Sequence, residues 1–80
     1  MNNLTSEEIT KLKNKIVESW NELEVLRDSM ELDLAKSLNG VRTAGVRTRK
    51  GLKLMSQQAQ MIKKQLLQLQ KLFNELKKNN

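Results

Sequence analysis

Eighty residues make at most one small domain, and a core of this size rarely stabilises a fold alone. The chain has no histidine, cysteine or tyrosine, so we expect no enzyme, no cofactor and no metal site. Its net charge of +6 is unevenly divided, because residues 1–40 carry five basic and eight acidic groups while residues 41–80 carry ten basic groups and only Glu75. A half-chain whose charged residues are nearly all basic is typical of a protein with a polyanionic partner.

No apolar run approaches the roughly 18 residues of a membrane span. The opening MNNLTSEE lacks the basic and then apolar layout of a signal peptide. The absence of proline leaves long helices uninterrupted. A cytoplasmic protein without membrane contact, forming a single domain over residues 1–80, is therefore the expectation.

The first predicted element is a helix from about Ser6 to Leu38. Thr5 and Glu8 have the spacing of a capping box, in which each side chain bonds a backbone amide near the other. Apolar residues then recur every three or four positions, which is the period of one helix face. That predicted face consists of Ile9, Leu12, Ile16, Trp20, Leu23, Leu26, Met30, Leu34 and Leu38.

Asn39 and Gly40 predict the end of this helix, because glycine readily takes the left-handed conformation that closes a helix. The apolar pattern resumes at once, so a tip of residues 39–41 leads into a second, antiparallel helix of about 42–78. Its apolar steps alternate strictly between four and three, as in coiled coils. The predicted seam consists of Thr48, Leu52, Met55, Ala59, Ile62, Leu66, Leu69, Phe73 and Leu76.

The expected fold class is thus all-α, an antiparallel, coiled-coil-like two-helix hairpin. If facing residue numbers sum to about 79 or 80, Trp20 lies opposite Ala59, a large side chain against a small one. Further apolar residues lie off both seams, and an exposed row of this kind predicts a homodimer with four helices. The alternative is a set of scattered surface residues on a soluble coiled coil. The off-seam residues are Val17, Val25, Leu32, Leu54, Met61, Leu67 and Leu72.

The start of the second helix carries a cluster of cations with no carboxylate among them. At 100° per residue, Arg42, Arg49 and Lys53 fall within about 40° of one another. Lys50 flanks this row and Arg47 lies further round the same side. Guanidinium is the planar, bidentate donor suited to phosphate, and a threonine hydroxyl can add a neutral hydrogen bond. The predicted nucleic-acid contacts are Arg42, Thr43, Arg47, Arg49, Lys50 and Lys53.

Trp20 and Phe73 are the only aromatic residues, and both are assigned to the seams, so base stacking on aromatic platforms is not expected. Phosphate contact with little sequence preference is the better interpretation. One alternative is a solvated basic face that pairs with Asp28, Glu31 and Asp33. A second is a protein–protein interaction module that binds an acidic partner.

Residues 40–52, GVRTAGVRTRKGL, resemble the core of the small bacterial linker-histone-like DNA-binding proteins of the chlamydial developmental histone type. The resemblance implies a nucleoid-associated protein that binds double-stranded DNA and helps to compact it, in a bacterium or on viral DNA. The chlamydial protein continues into a lysine- and alanine-rich tail, so condensation that needs such a tail is not expected here. The matching positions are Gly40, Arg42, Ala44, Gly45, Arg47, Arg49, Lys50 and Leu52.

Overall fold

The computed structural model describes residues 3–78, which form two long helices. Helix α1 spans Asn3–Leu38 and helix α2 spans Arg42–Lys78, so three residues join them. The two helices pack against each other as an antiparallel hairpin, a rod with extents of 60 × 14 × 12 Å. The predicted fold class, an all-α two-helix hairpin, is confirmed.

Helix α1 begins earlier than the sequence pattern predicted. Its first residue is Asn3, so Thr5 and Glu8 lie inside the helix and the predicted capping box is wrong. Asn3 and Leu4 are compatible with helical geometry, and no proline or glycine precedes Thr5 to stop the helix there. The Thr10 hydroxyl donates to the Ser6 carbonyl at 3.1 Å, a bond typical of a threonine inside a helix.

The tip closes as its glycine predicted. Gly40 has a φ of +91°, in the left-handed region that favours glycine. Its amide donates to the Ser37 carbonyl at 3.0 Å, and the Val41 amide donates to the Lys36 carbonyl at 3.0 Å. These two bonds form a Schellman motif, which satisfies carbonyls that the end of α1 would otherwise leave unpaired. The chain can therefore reverse within three residues.

The seam between the helices is shifted from the predicted one at alternate positions. Trp20 is 63% exposed and Leu66 is 50% exposed, although the apolar pattern assigned both to the seam. The preceding residue takes the inward position in each case, so the predicted pairing of Trp20 with Ala59 within one hairpin is wrong. Where small residues enter the seam, at Ser19, Ser37 and Gly51, the two helices can approach closely. The residues that leave the seam are Trp20, Leu34, Leu38, Leu52, Leu66 and Phe73, and those that enter it are Ser19, Asp33, Ser37, Gly51, Gln58, Gln65 and Leu72.

The seam buries little apolar surface. Over residues 4–78 the buried apolar side chains are Ile9, Leu12, Ala44 and Ile62, and none of the large ones is fully enclosed. Polar groups occupy the middle of the seam, where the amide of Gln58 donates to the Ser19 carbonyl at 2.9 Å and to Glu22 at 3.0 Å. Since stability depends mainly on buried apolar area, the isolated hairpin has few contacts that stabilise it.

Two glycines of α2 face α1, where they permit the close approach of the helices. A Cβ added to Gly45 would lie 3.0 Å from the Ser37 Oγ. A Cβ added to Gly51 would overlap the Met30 Sδ and lie 2.7 Å from its Cγ. A glycine in this segment could permit the close approach either of a phosphate or of a neighbouring helix. The structure shows the close approach of a helix at both positions.

Gly51→Ala is therefore expected to gain less stability than its helix propensity allows. Alanine is favoured over glycine by about 1 kcal/mol in a helix interior, but Met30 must move to accept the new methyl group. In a Met30→Ala background the same substitution should recover the full gain. Urea unfolding of the four proteins in a double-mutant cycle measures this coupling. An equal gain in both backgrounds would show that Met30 does not limit the substitution.

Candidate nucleic-acid interface

All six residues predicted to contact nucleic acid lie on the first turns of α2, and all six are exposed. The side of this segment that faces α1 consists of small residues, of which Ala44, Gly45 and Thr48 are buried. The Thr48 hydroxyl donates to the Ala44 carbonyl at 2.8 Å and so needs no partner on α1. Because the inward side is made of small residues, the long cationic side chains occupy the outward sides. The six are Arg42, Thr43, Arg47, Arg49, Lys50 and Lys53.

Arg47 differs from the other cations because it is paired within the hairpin. Its Nε donates to both carboxylate oxygens of Asp33 at 3.1 Å, and its Nη2 donates to Oδ1 at 2.9 Å. The hydrogen bonds from Arg47 lower the pKa of Asp33 against the opposing effect of desolvation, and the charges of Arg47 and Lys36 lower it further. The same pairing raises the pKa of Arg47. Arg47 thus joins α2 to α1 beside the seam.

The other two carboxylates proposed as partners of the cluster contact a different arginine. Arg27 lies 3.5 Å from Asp28 and 3.9 Å from Glu31, both on its own helix. Over residues 3–78, no carboxylate oxygen lies within 4.0 Å of Arg42, Arg49, Lys50 or Lys53. We refer to the exposed group of Arg42, Thr43, Arg49, Lys50 and Lys53 as the basic tip.

The basic tip has the chemistry of an anion site on a convex surface. Arg42 opens α2, so the first amides of the helix, which lack an acceptor four residues back, lie beside it. These amides carry the positive end of the helix dipole, which favours anions. The basic tip contributes two guanidinium groups, two ammonium groups and one hydroxyl from the first twelve residues of the helix. The tip can therefore donate several hydrogen bonds to a row of phosphates.

Sequence reasoning found this cluster but did not assign the partner of Arg47. Asp33 was one of three candidate carboxylates. The residue numbers of Asp33 and Arg47 sum to about 80, as expected for residues that face each other across the hairpin. The signal was present in the register. The apolar pattern did not predict that Asp33 lies on the side of α1 that faces α2, where its side chain is 24% accessible.

The Asp33–Arg47 pair predicts an acid-sensitive contribution to the stability of the hairpin. Because folding lowers the pKa of Asp33, this contribution is present above the ordinary carboxyl value of about 3.9 and is lost as the pH falls through the lower folded value. We expect Asp33→Asn to lower the melting temperature at pH 7 and to change it much less near pH 2. Circular dichroism melts measure both values, with Glu31→Gln as the control. An equal loss at both pH values would mean that the charge of Asp33 is not the cause.

Neither helix within residues 3–78 contains a stretch that is long and apolar enough to cross a membrane. The resemblance of residues 40–52 to linker-histone-like proteins stays a prediction. Comparison of the chain with protein-family models, with curated proteins and with solved structures gave no match.

Proposed function

We propose that this protein binds the phosphate backbone of double-stranded DNA through its basic tip, with little sequence preference, and contributes to DNA compaction. The observation that carries the proposal is the exposure, at one end of the rod, of four cations that no carboxylate of residues 3–78 neutralises. Arg47, one turn away, is held by Asp33. The fold therefore neutralises one cation of the cluster and leaves the rest available to a polyanion.

The surroundings of the basic tip favour backbone contact over base readout. The two aromatic residues are exposed, which corrects their assignment to the seams, with Trp20 at 63% and Phe73 at 39%. Neither belongs to the basic tip: Phe73 lies roughly 30 Å along α2 from Lys53, and Trp20 lines a groove with Met55 toward the middle of the rod. The tip itself offers charged and hydroxyl donors, which bind phosphate without reading sequence. Such a protein would be found on the DNA of a bacterial nucleoid or of a virus.

Fluorescence anisotropy with several unrelated duplexes at a series of salt concentrations tests this function. If the four cations each neutralise one phosphate, log affinity should fall with log salt with a slope of roughly −3.5 per hairpin. The affinities for the duplexes should agree with one another to within a few fold. Strong preference for one duplex, or a slope near zero, would contradict backbone binding by the tip.

An acidic protein partner is the alternative occupant of the same cations, because carboxylates also accept hydrogen bonds from guanidinium. The two functions differ in their response to DNA. A protein that binds no duplex at low salt would leave the acidic partner as the function of the tip. Binding to every duplex tested supports the proposed function.

A further inference from the structure

One side of the hairpin presents an apolar face that the two helices do not cover. We refer to it as the apolar side face, formed by Trp20, Leu34, Leu52, Leu66 and Phe73. These side chains are between 39% and 63% exposed. In α2, positions 52, 59, 66 and 73 repeat every seven residues, so they form a single line beside the seam.

Two grooves between the helices connect the part of this face that holds Trp20, Leu34 and Leu52. One groove is lined by Trp20, Leu23 and Met55, and the next by Leu34, Leu52 and again Met55. Arg27 lines both grooves, Glu24 also lines the first and Glu31 the second. The opposite side carries the Asp33–Arg47 pair and has no aromatic residue. The apolar side face thus carries both aromatic residues, while the off-seam residues Val25, Leu54 and Leu67 are exposed elsewhere on the rod.

The area of the chain is large enough for a stable interface. Its accessible surface is 6513 Å². A compact monomer of 9.3 kDa exposes about 5,000 Å², and a specific dimer needs about 800 Å² from each partner. The excess reflects both the elongated shape of the rod and the exposed apolar residues that the hairpin does not enclose.

We propose that a second copy of this chain covers the apolar side face, forming a four-helix bundle with both basic tips at the same end. The charges of the two helices support both the identity of the partner and its orientation. Helix α1 has five basic and eight acidic residues, whereas α2 has ten basic residues and one acidic residue. With the tips at one end, a two-fold axis along the rod sets α1 of each copy on α2 of the other, so opposite charges face each other.

The opposite orientation would set α2 on α2, with nine net positive charges on each. Individual residues along the face agree with the first arrangement. Beside the apolar line, α1 carries Glu31 and α2 carries Arg49, whose numbers sum to 80. Residues at one level of the hairpin have numbers that sum to about 80, as Asp33 and Arg47 do. At that spacing Trp20 of each copy meets Ala59 of the other, a large side chain on a small one.

The effect of this dimer on DNA binding rests on the proposed function. Lys50 and Lys53 stay outside the interface, while Arg42 and Arg49, which are seven residues apart, both border it. Two basic tips side by side would contact one duplex, and the salt dependence of binding would be about twice that of a single hairpin.

The oligomeric state tests the proposal without DNA. Light scattering at micromolar concentration should give about twice the chain mass of 9.3 kDa. Trp20 is the only tryptophan, so its emission should shift to longer wavelength on dilution as the dimer dissociates. Leu66→Glu should abolish the dimer, giving a monomer with reduced helical signal because the isolated hairpin has few stabilising contacts, whereas Met61→Glu, on the opposite side and 40% exposed, should stay dimeric and helical. A monomeric wild-type protein, or equal disruption by both variants, would overturn the proposal.

The orientation has its own measurement, since the chain has no native cysteine. A spin label on Val46→Cys, near the tip, should give an inter-label distance below about 30 Å in the proposed bundle, given helix diameters of about 10 Å. A distance approaching the 60 Å length of the rod would show opposed tips and overturn the orientation. A monomer that binds every duplex would refute the dimer alone, and a dimer that binds none would refute the proposed function alone.

Discussion

Replacement of Arg42 and Lys53 by alanine is expected to weaken duplex binding by about 100-fold or more, since the loss of two hydrogen bonds to charged groups, each worth about 1.5–3 kcal/mol, costs at least about 3 kcal/mol. The two side chains lie on the same side of α2, both are exposed, and neither contacts a carboxylate of residues 3–78. Their loss should therefore leave helicity and thermal stability almost unchanged. The slope of log affinity against log salt should fall by about two units for each hairpin bound. Anisotropy titrations and circular dichroism measure these effects.

Lys77→Ala/Lys78→Ala is the matched control, because it removes the same charge from the opposite end of the rod. It should weaken binding far less. Equal losses from the two pairs would mean that a diffuse basic surface, and not the tip, binds DNA. Arg47→Ala provides a second comparison, since it breaks the pair with Asp33 and should lower the melting temperature more than the affinity.

Ile62→Asp is expected to unfold the protein. Ile62 is 5% exposed and lies on the seam, so a carboxylate there would be buried. Burial of a charge without a partner costs several kcal/mol, which is a large part of the stability available to a hairpin with so small a core. Circular dichroism at 25 °C should show the loss of most of the helical signal.

Leu67→Asp is the control for that experiment. Leu67 is 65% exposed and lies on the outside of α2, so its replacement should leave the helical signal unchanged. Retention of the wild-type signal by Ile62→Asp would show that the seam does not run through this position.

The hairpin and its tip could be predicted from the sequence because they depend on local signals. Gly40 marks the reversal, and the absence of proline leaves the helix period readable on both sides. The phase of the seam could not be predicted in the same way. Apolar residues in α2 cover an arc wider than one partner helix can bury, so the apolar pattern favours large residues such as Leu52 over small ones for the seam. In the structure Gly51, and not Leu52, faces α1, because the absence of a side chain lets α2 approach Met30.

The composition of the candidate site was also legible in the sequence, as a run of cations without carboxylates. The sequence did not predict which of these cations is paired with a carboxylate and which are not. Arg47 and Arg49 are chemically identical and two positions apart, yet only Arg47 reaches across the seam to Asp33. That distinction depends on which way each residue points at a given level of the hairpin, and the phase of the seam determines it.

The contacts across the seam are ordered along the rod by their separation in the chain. Asp33 and Arg47 are 14 residues apart, whereas Ser19 and Gln58 are 39 apart. Loop-closure entropy rises with the logarithm of this separation, so contacts beside the reversal should form first and the helices should then zip toward their free ends. The folding nucleus would thus coincide with the segment that carries the cations. A defect at Ala44, which is fully buried, should slow folding, whereas one near the free ends should mainly speed unfolding.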